Sequence, residues 1–295
     1  MTPLLVVELT RFVSRRSVRV FGMFLLLAVI AAGSLTFALS NRDEAGATAR
    51  ARAAATQEHQ ACLRGEFGPP SDGGVKELCP EPDLTQITAD PRFHLAKLRD
   101  VFGGVGAALV LLGLGLGASG IGAEWHHRTM TTLLTWEARR MRVAVAKLAA
   151  SAGVVFVGVI VFEALLGAAL VPAAVFRGTT SGATVSWLAG VIGVVVRGAA
   201  LGAMAAVIGG TIALVARNSA LALGISFAWF AVVENMIRGL RPRWQPWLIG
   251  DNAESFIAPS ISTPRSALGG GLVLGFYVSA AALVAIRIFR ARDVA

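Results

Sequence analysis

The chain has 295 residues, of which 55% are apolar and only 15% are charged, and its mean hydropathy is +0.66. Several uncharged runs reach the roughly 20 residues that a helix needs to cross a bilayer, which excludes a soluble globular domain and predicts an all-α integral membrane protein. The net charge of +9 does not indicate nucleic-acid binding, because most arginines flank the apolar runs, as positive residues do at membrane surfaces. The runs predict one transmembrane domain over residues 1–295, with spans near 18–39, 101–122, 147–171, 199–215, 220–237 and 268–288.

Residues 1–17 precede the first span and have a broad apolar face that Glu8 and Arg11 interrupt. This pattern predicts an interfacial helix that lies on the lipid headgroups. The first apolar run is longer than the core of a signal peptide and lacks a clean A-x-A site, so we expect it to be retained as a span.

Residues 41–99 are rich in acidic side chains and predict a solvated insert between the first two spans. Within it, 41–60 predicts a helix, 65–82 predicts loop and turn, and a second helix is expected to begin near Asp90. Cys62 and Cys79, the only cysteines, are expected to form a disulfide in an oxidising compartment, with free thiols or metal ligands as the alternatives. The histidines of the insert lack tight ligand spacing, so no metal site is predicted.

Residues 123–146 form a basic segment between two long apolar runs, and residues 124–147 read EWHHRTMTTLLTWEARRMRVAVAK. Most arginines and lysines of the short connections fall on the side of the N-terminus, which predicts cytoplasmic termini, an extracytoplasmic insert and a cytoplasmic position for this segment. Its Met130, Leu133, Leu134 and Trp136 predict a short amphipathic helix.

Three charged residues fall at membrane depth, where desolvation makes charge costly and function the first hypothesis. Glu163 lies well inside the third span, and either faces the interior or a transport pathway, or pairs with an arginine such as Arg197. Arg197 is expected at the start of the fourth span, after an apolar stretch, 187–196, that lies at or re-enters the outer interface. Glu234, near the outer end of the fifth span, is expected to pair with Arg238 at i,i+4.

Residues 238–267 connect the fifth and sixth spans and mix Trp244, Trp247 and Phe256 with proline and arginine. This composition favours an outer interfacial loop anchored at the headgroups, with direct substrate contact as the alternative.

Sequence motifs for nucleotide hydrolysis are lacking. The three lysines, Lys76, Lys97 and Lys147, are not followed by Ser or Thr, so none fits a Walker motif. Gly113, Gly117 and Gly209 lie in apolar spans and are expected to allow close helix packing. The chain is therefore not expected to be an enzyme or to hold a cofactor.

Six residues stand at fixed offsets after the second span: Glu124, Thr129, Leu133, Leu134, Arg140 and Lys147. These offsets resemble those of permeases of type 2 ABC exporters, which carry the string E-x-x-x-G-T-x-x-x-L-L-x-x-P-x-x-R followed by a Lys that opens the third span. Arg128 stands where Gly is usual and Glu137 where Pro is usual. The resemblance extends over the whole chain, from the interfacial N-terminal helix to the long outer loop before the sixth span.

The resemblance implies that 123–146 is a coupling helix that docks in a cleft on a separately encoded ATPase subunit, which holds ATP and Mg. It also implies a homodimer, or a heterodimer with a related permease, in the bacterial inner or plasma membrane, and short re-entrant helices within 238–267. The coupling residues are then Glu124, Arg128, Thr129, Met130, Leu133, Leu134, Arg139 and Arg140.

Two other functions are compatible with the sequence. One is a non-transporting membrane scaffold or sensor whose extracytoplasmic insert binds a partner. The other is a secondary transporter, which six spans without an evident internal repeat do not favour. The apolar spans show no selective constellation, so the sequence leaves the substrate open.

Overall fold

The computed structural model describes residues 2–65, 79–137, 139–259 and 263–292. The regular elements in these ranges are helices, and one isolated parallel bridge joins His94 to Thr179. Most of the predicted loop at 65–82 lies outside the described residues.

The helices follow one another along the chain. In chain order they are α1 (Thr2–Val13), α2 (Arg16–Leu39), α3 (Glu44–Leu63), α4 (Leu98–His126), α5 (Thr129–Trp136), α6 (Arg140–Pro172), α7 (Val185–Ala216), α8 (Ser219–Phe227), α9 (Glu234–Leu240), α10 (Ile249–Ile257) and α11 (Ala267–Ala291). Short 3-10 or π segments precede α4 (Leu95–Lys97), follow α6 (Ala173–Arg177), join α8 to α9 (Ala228–Val233) and precede α10 (Pro242–Trp247).

Six helical segments of the described chain are long and apolar enough to cross a membrane: Arg16–Leu39, Leu95–His126, Arg140–Arg177, Val185–Ala216, Ser219–Leu240 and Ala267–Ala291. Each contains one of the spans expected from the sequence. The prediction of an all-α, multi-pass membrane protein is therefore confirmed at the level of these six helices.

The fourth span is longer than predicted. The stretch 187–196, expected to lie at an interface, is continuous with the rest of α7, and Thr184 caps the helix by accepting a hydrogen bond from the Trp187 amide at 3.2 Å. Arg197 thus lies inside a helix instead of starting one. Its Nε donates to the Gly193 carbonyl at 2.9 Å, so the guanidinium is partly satisfied by its own helix and does not interrupt it.

The chain divides into two compact units. Unit one comprises Met1–Val29, Leu98–Leu166 and Thr184–Ala295. Within it α4 and α7 pack closely along their length because glycines remove side chains from the contact: a Cβ on Gly117 would overlap Ala206, and one on Gly209 would overlap the Leu114 backbone. The expected packing role of these glycines is confirmed.

Unit two comprises Ile30–Lys97 and Gly167–Ala183. A disulfide joins Cys62, near the end of α3, to Cys79, with the two Cα atoms 5.9 Å apart. The Ser40 hydroxyl donates to the Arg177 carbonyl at 3.0 Å and accepts from the Phe93 amide at 2.9 Å. These bonds tie the segment that follows α3 to the end of the third span.

The helix expected to begin near Asp90 begins later, at Leu95. The Asp90 carboxylate accepts from the Arg92 amide and guanidinium and contacts His94, so it closes a turn instead of capping a helix. These hydrogen bonds, the one from the Arg92 side chain foremost, hold the pKa of Asp90 well below its usual range. The amide of Leu95 and the carbonyl of Phe93 both bond to Thr179, which keeps 93–95 extended.

Candidate functional site

The helix α5 is an eight-residue segment that connects the second and third spans. The chain enters it through Arg128, whose φ of 56° lies in the left-handed region. Glycine adopts this region at little cost, whereas other residues do so at roughly 1–2 kcal/mol. The position where the resembling string has Gly is therefore one where the backbone itself favours glycine.

The second departure from the string also has a structural counterpart. The Glu137 amide donates to the Leu133 carbonyl at 3.0 Å, a bond that proline could not form. The Glu137 side chain accepts from the Arg139 amide at 3.2 Å, just before α6 begins. Glu137 thus ends α5 through its amide, and its side chain accepts a hydrogen bond from the backbone that leads into α6.

The apolar face of α5 packs into unit one. Met130 is completely buried, and Leu133 and Leu134 are half-buried against the same core. That core is formed by Ala118, Ile121, Val143, Ala144, Leu148, Ala213, Leu214, Ala222, Ala285 and Phe289. The expectation that Met130 presents itself to a partner does not fit this packing, whereas Leu133 and Leu134 keep part of their surface accessible.

The opposite face of α5 is open to the surroundings. Thr129, Thr132, Thr135 and Trp136 are exposed, and Trp136 is 88% accessible. Arg139 is exposed just beyond the helix, whereas the Arg140 guanidinium donates to the Arg292 carbonyl. Of the four apolar residues predicted for this helix, only Trp136 is exposed.

Four charged side chains meet where α1, the end of α4 and the start of α6 come together, and we call them the charged junction: Glu8, Arg15, Glu124 and Lys147. The Lys147 ammonium lies 2.8 Å from the Glu8 carboxylate and 2.5 Å from that of Glu124. Arg15 contacts the same Glu124 carboxylate at 2.5 Å. Lys147 and Glu8 are each 4% exposed, so their charged groups contact one another instead of water.

The charged junction joins three elements through residues far apart in sequence. Glu8 belongs to α1, Glu124 to the end of the second span and Lys147 to the start of the third. The sequence pattern identified Glu124 and Lys147 but not Glu8 or Arg15. The interruption of the apolar face of α1 by Glu8 was the available signal, since a buried carboxylate requires a cation.

The same end of unit one is held by further cationic contacts. Arg217 lies over the Trp125 ring at 4.7 Å, and Arg292 donates to the Val215 carbonyl at 2.9 Å. Trp125 in turn packs edge to face on Phe289. The ends of α4, α7 and α11 are thus linked near the base of α5.

At the α9–α10 corner, Glu234 and Arg238 do not form the expected i,i+4 pair. Glu234 is 2% exposed and accepts from the amides of Ile249 and Gly250, at 2.8 and 3.0 Å, and from the Trp229 ring nitrogen. Arg238 pairs instead with Asp251 at 2.8 Å. Glu234 and Arg238 thus both hold the first turn of α10. A carboxylate such as that of Glu234 is favoured there, because the first amides of a helix are unpaired and the helix dipole is positive at this end.

The aromatic residues of the connection 238–267 are divided between surface and interior. Trp244 and Trp247 are exposed, and Arg265 stacks over Trp247 at 5.0 Å. Phe256 is half-buried against Gly271 of α11. Trp244 and Trp247 are thus available for the predicted interfacial anchoring, whereas Phe256 packs within the chain.

Glu163 is fully buried and faces Gly198 of α7, where an added Cβ would lie 3.2 Å from its carboxylate. Neither of its oxygens has a hydrogen-bond partner in the described chain. The described residues show no ion pair between Glu163 and Arg197, and the Arg197 Nε donates to the Gly193 carbonyl. Glu163 therefore lies in the packed interior between α6 and α7.

An apolar cavity of about 500 Å³ lies within unit one between α4, α7, α10 and α11. Leu111 and Leu114 line one side, Met204 and Ile208 another, and α10 forms a wall through Ile257. Because Glu234, Arg238 and Asp251 hold α10 in place, the same contacts shape this cavity.

A comparison with known protein families finds no family model that matches this sequence, and a comparison with curated proteins finds no match either.

Proposed function

We propose that this chain is the permease subunit of an ATP-binding cassette exporter, driven by a separate ATPase subunit that supplies ATP and Mg. The observation that carries the proposal is the construction of α5: a short helix with one exposed face, fixed at its base to two membrane-spanning helices. Met130 packs it against residues of α4 and α6, and the charged junction ties those two helices to each other and to α1, so a displacement of α5 moves the ends of both. That is the mechanical property a coupling helix needs.

The exposed face of α5 is the surface proposed to meet the ATPase. Trp136 supplies a large apolar anchor of the kind that dominates helix-in-groove recognition, and the threonines beside it are small enough to permit close approach. Arg139 adds a positive charge at the edge of this face. Glu124, Met130, Leu133 and Leu134 act indirectly, by holding the helix in place.

The apolar cavity beside α10 is proposed to be part of the substrate route. In this arrangement the termini and α5 are cytoplasmic, the chain lies in the bacterial plasma membrane, and two permease copies or related chains assemble with two ATPase subunits. The cavity lining favours a substrate with substantial apolar surface.

The test is capture of the ATPase by the affinity-tagged chain in its native membrane, with ATP hydrolysis of the captured material as readout. Trp136→Glu is expected to reduce captured ATPase activity at least about tenfold, the loss typical of a central aromatic anchor. Trp244→Glu is the matched control, since Trp244 is also an exposed tryptophan but does not belong to α5. Equal hydrolysis with both variants, or none with the unaltered chain, would contradict the proposal.

A second candidate is a membrane scaffold or sensor that binds an extracytoplasmic partner through the insert. The disulfide and the bonds of Asp90, Arg92 and Glu44 favour it, because they order a solvated segment that spans alone would not require. Replacing residues 45–82 with a short linker distinguishes the two: loss of partner binding with ATPase capture intact supports an added sensor role.

A further inference from the structure

An apolar groove crosses the surface of unit one between α2, α4 and α6. Its volume is about 250 Å³, and its lining runs along α2 from Val18 to Val29. All of its lining residues are apolar or glycine. The groove is separate from the cavity beside α10, because the two have no lining residue in common, and it does not include α5.

Two glycines create the groove. Gly22 and Gly158 line opposite walls, and a Cβ built on either would meet no atom within 4 Å. The space is therefore open at both positions instead of being filled by a neighbouring helix, as it is at Gly117. Open apolar space on a membrane-facing surface loses dispersion contacts unless something fills it.

The dimensions of the groove match one acyl chain. Eleven residue steps from Val18 to Val29 correspond to about 16 Å of helix, which is about half of a hydrocarbon core of roughly 30 Å. Its volume is below the roughly 300 Å³ at which pockets for compact drug-sized ligands begin. A single extended acyl chain from one leaflet fits this length and volume.

The end of the groove at Val18 is basic. Arg16 and Arg19 flank Val18 in the first turn of α2, and both side chains are exposed. Arg19 lies one turn before Gly22, on the flank of the lining face. The acids of the neighbouring charged junction are already engaged by Lys147 and Arg15, so this rim favours an anion.

We propose that this groove binds one anionic phospholipid, with an acyl chain between Gly22 and Gly158 and the phosphate at Arg19 and Arg16. The lipid bridges α2, α4 and α6, next to the charged junction that fixes α1. Binding requires no ATPase and no transport, so it stands or falls independently of the proposed function.

The experiment is native mass spectrometry of the purified full-length chain after exchange into phosphatidylglycerol or phosphatidylcholine. We expect one phosphatidylglycerol to remain bound per chain, and phosphatidylcholine to be retained several-fold less. Gly158→Leu places a side chain in the groove, its Cβ meets no atom within 4 Å, and leucine raises helix propensity, so the variant should fold and lose most of the retained lipid.

Matched controls separate this site from bulk lipid. Gly153→Leu changes another open glycine of α6 that does not line the groove, and Arg287→Gln removes an exposed charge in α11. Arg19→Gln is expected to weaken phosphatidylglycerol retention about fivefold, and Arg287→Gln to leave it unchanged.

Gly22→Leu provides an independent variant on the opposite wall. Equal retention in Gly158→Leu, Gly22→Leu and Gly153→Leu would overturn the groove as the site. Equal retention of both lipids, with no effect of Arg19→Gln, would overturn the headgroup assignment.

Discussion

Buried acids stabilise two regions of this protein in different ways: the charged junction, which links the two helices that flank α5, and the first turn of α10. In the charged junction, Glu8 and Glu124 are neutralised by Lys147, with Arg15 on Glu124. At the start of α10, Glu234 is satisfied by two backbone amides and a tryptophan ring nitrogen. The first anchor is made of charges from three separate elements, whereas the second uses the amides of the helix that it holds.

The difference bears on what each anchor resists. A buried ion cluster is strongly destabilised when one member is removed, because the remaining charges lie out of water without a partner. A carboxylate bonded to helix amides leaves neutral donors when it is removed, and an unpaired neutral donor costs less than an unpaired buried charge. The charged junction, which ties together α1 and the two helices that flank α5, is therefore expected to be the stiffer connection, as a transmission element requires.

The largest effect is expected for Lys147→Met. This change keeps most of the side-chain volume but leaves Glu8 and Glu124 without their shared cation, so the free energy of unfolding in detergent should fall by about 3–5 kcal/mol. Lys97→Met is the control, because Lys97 is exposed. The double variant Glu8→Gln with Lys147→Met should recover part of the loss. A loss equal to that of Lys97→Met would show that the junction does not stabilise the fold.

A smaller effect is expected for Glu234→Ala. The amides of Ile249 and Gly250 lose their acceptor, which should cost about 1–3 kcal/mol and release the first turn of α10. Hydrogen exchange at these two amides measures the release directly. Glu254→Ala, an exposed acid of the same helix, should leave exchange unchanged. A larger loss of unfolding free energy for Glu234→Ala than for Lys147→Met would contradict the expectation that the charged junction is the stronger of the two anchors.

The smallest effect, and of opposite sign, is expected for Arg128→Gly. Glycine adopts the left-handed conformation at φ 56° without the steric cost that arginine has there, and this gain outweighs the larger conformational entropy that glycine gives the unfolded chain. The free energy of unfolding should therefore rise by about 0.5–1 kcal/mol. Arg139→Gly serves as control, because Arg139 is not among the positive-φ residues. Destabilisation by Arg128→Gly would mean that its side chain, not its backbone, matters at the entry to α5.

Much of the fold could be predicted from local sequence. The six spans follow from apolar length alone, because a helix that satisfies its own backbone is required in hydrocarbon. The packing of Gly117 and Gly209 also follows from their positions in apolar helices. The start of the fourth span was missed because Arg197 was taken as a boundary, whereas its guanidinium bonds to the preceding turn of the same helix.

The directions of side chains could not be predicted in the same way. The apolar pattern of α5 predicted an amphipathic helix, but it did not say whether Met130 meets a partner or the chain's own core. Glu234 was assigned to its neighbour Arg238 because i,i+4 pairs are the local rule, yet its actual partners are 15 and 16 residues away.

The sequence by itself determined the membrane class of the protein, the number of its spans and the position of the basic segment between the second and third. These properties depend on the run length and composition of contiguous residues. Only the tertiary structure decided that Glu8 meets Lys147, 139 residues away, and that Trp136 is the apolar side chain α5 displays. Burial of charge demands a partner without specifying which one, and that choice is made when helices distant in sequence pack together.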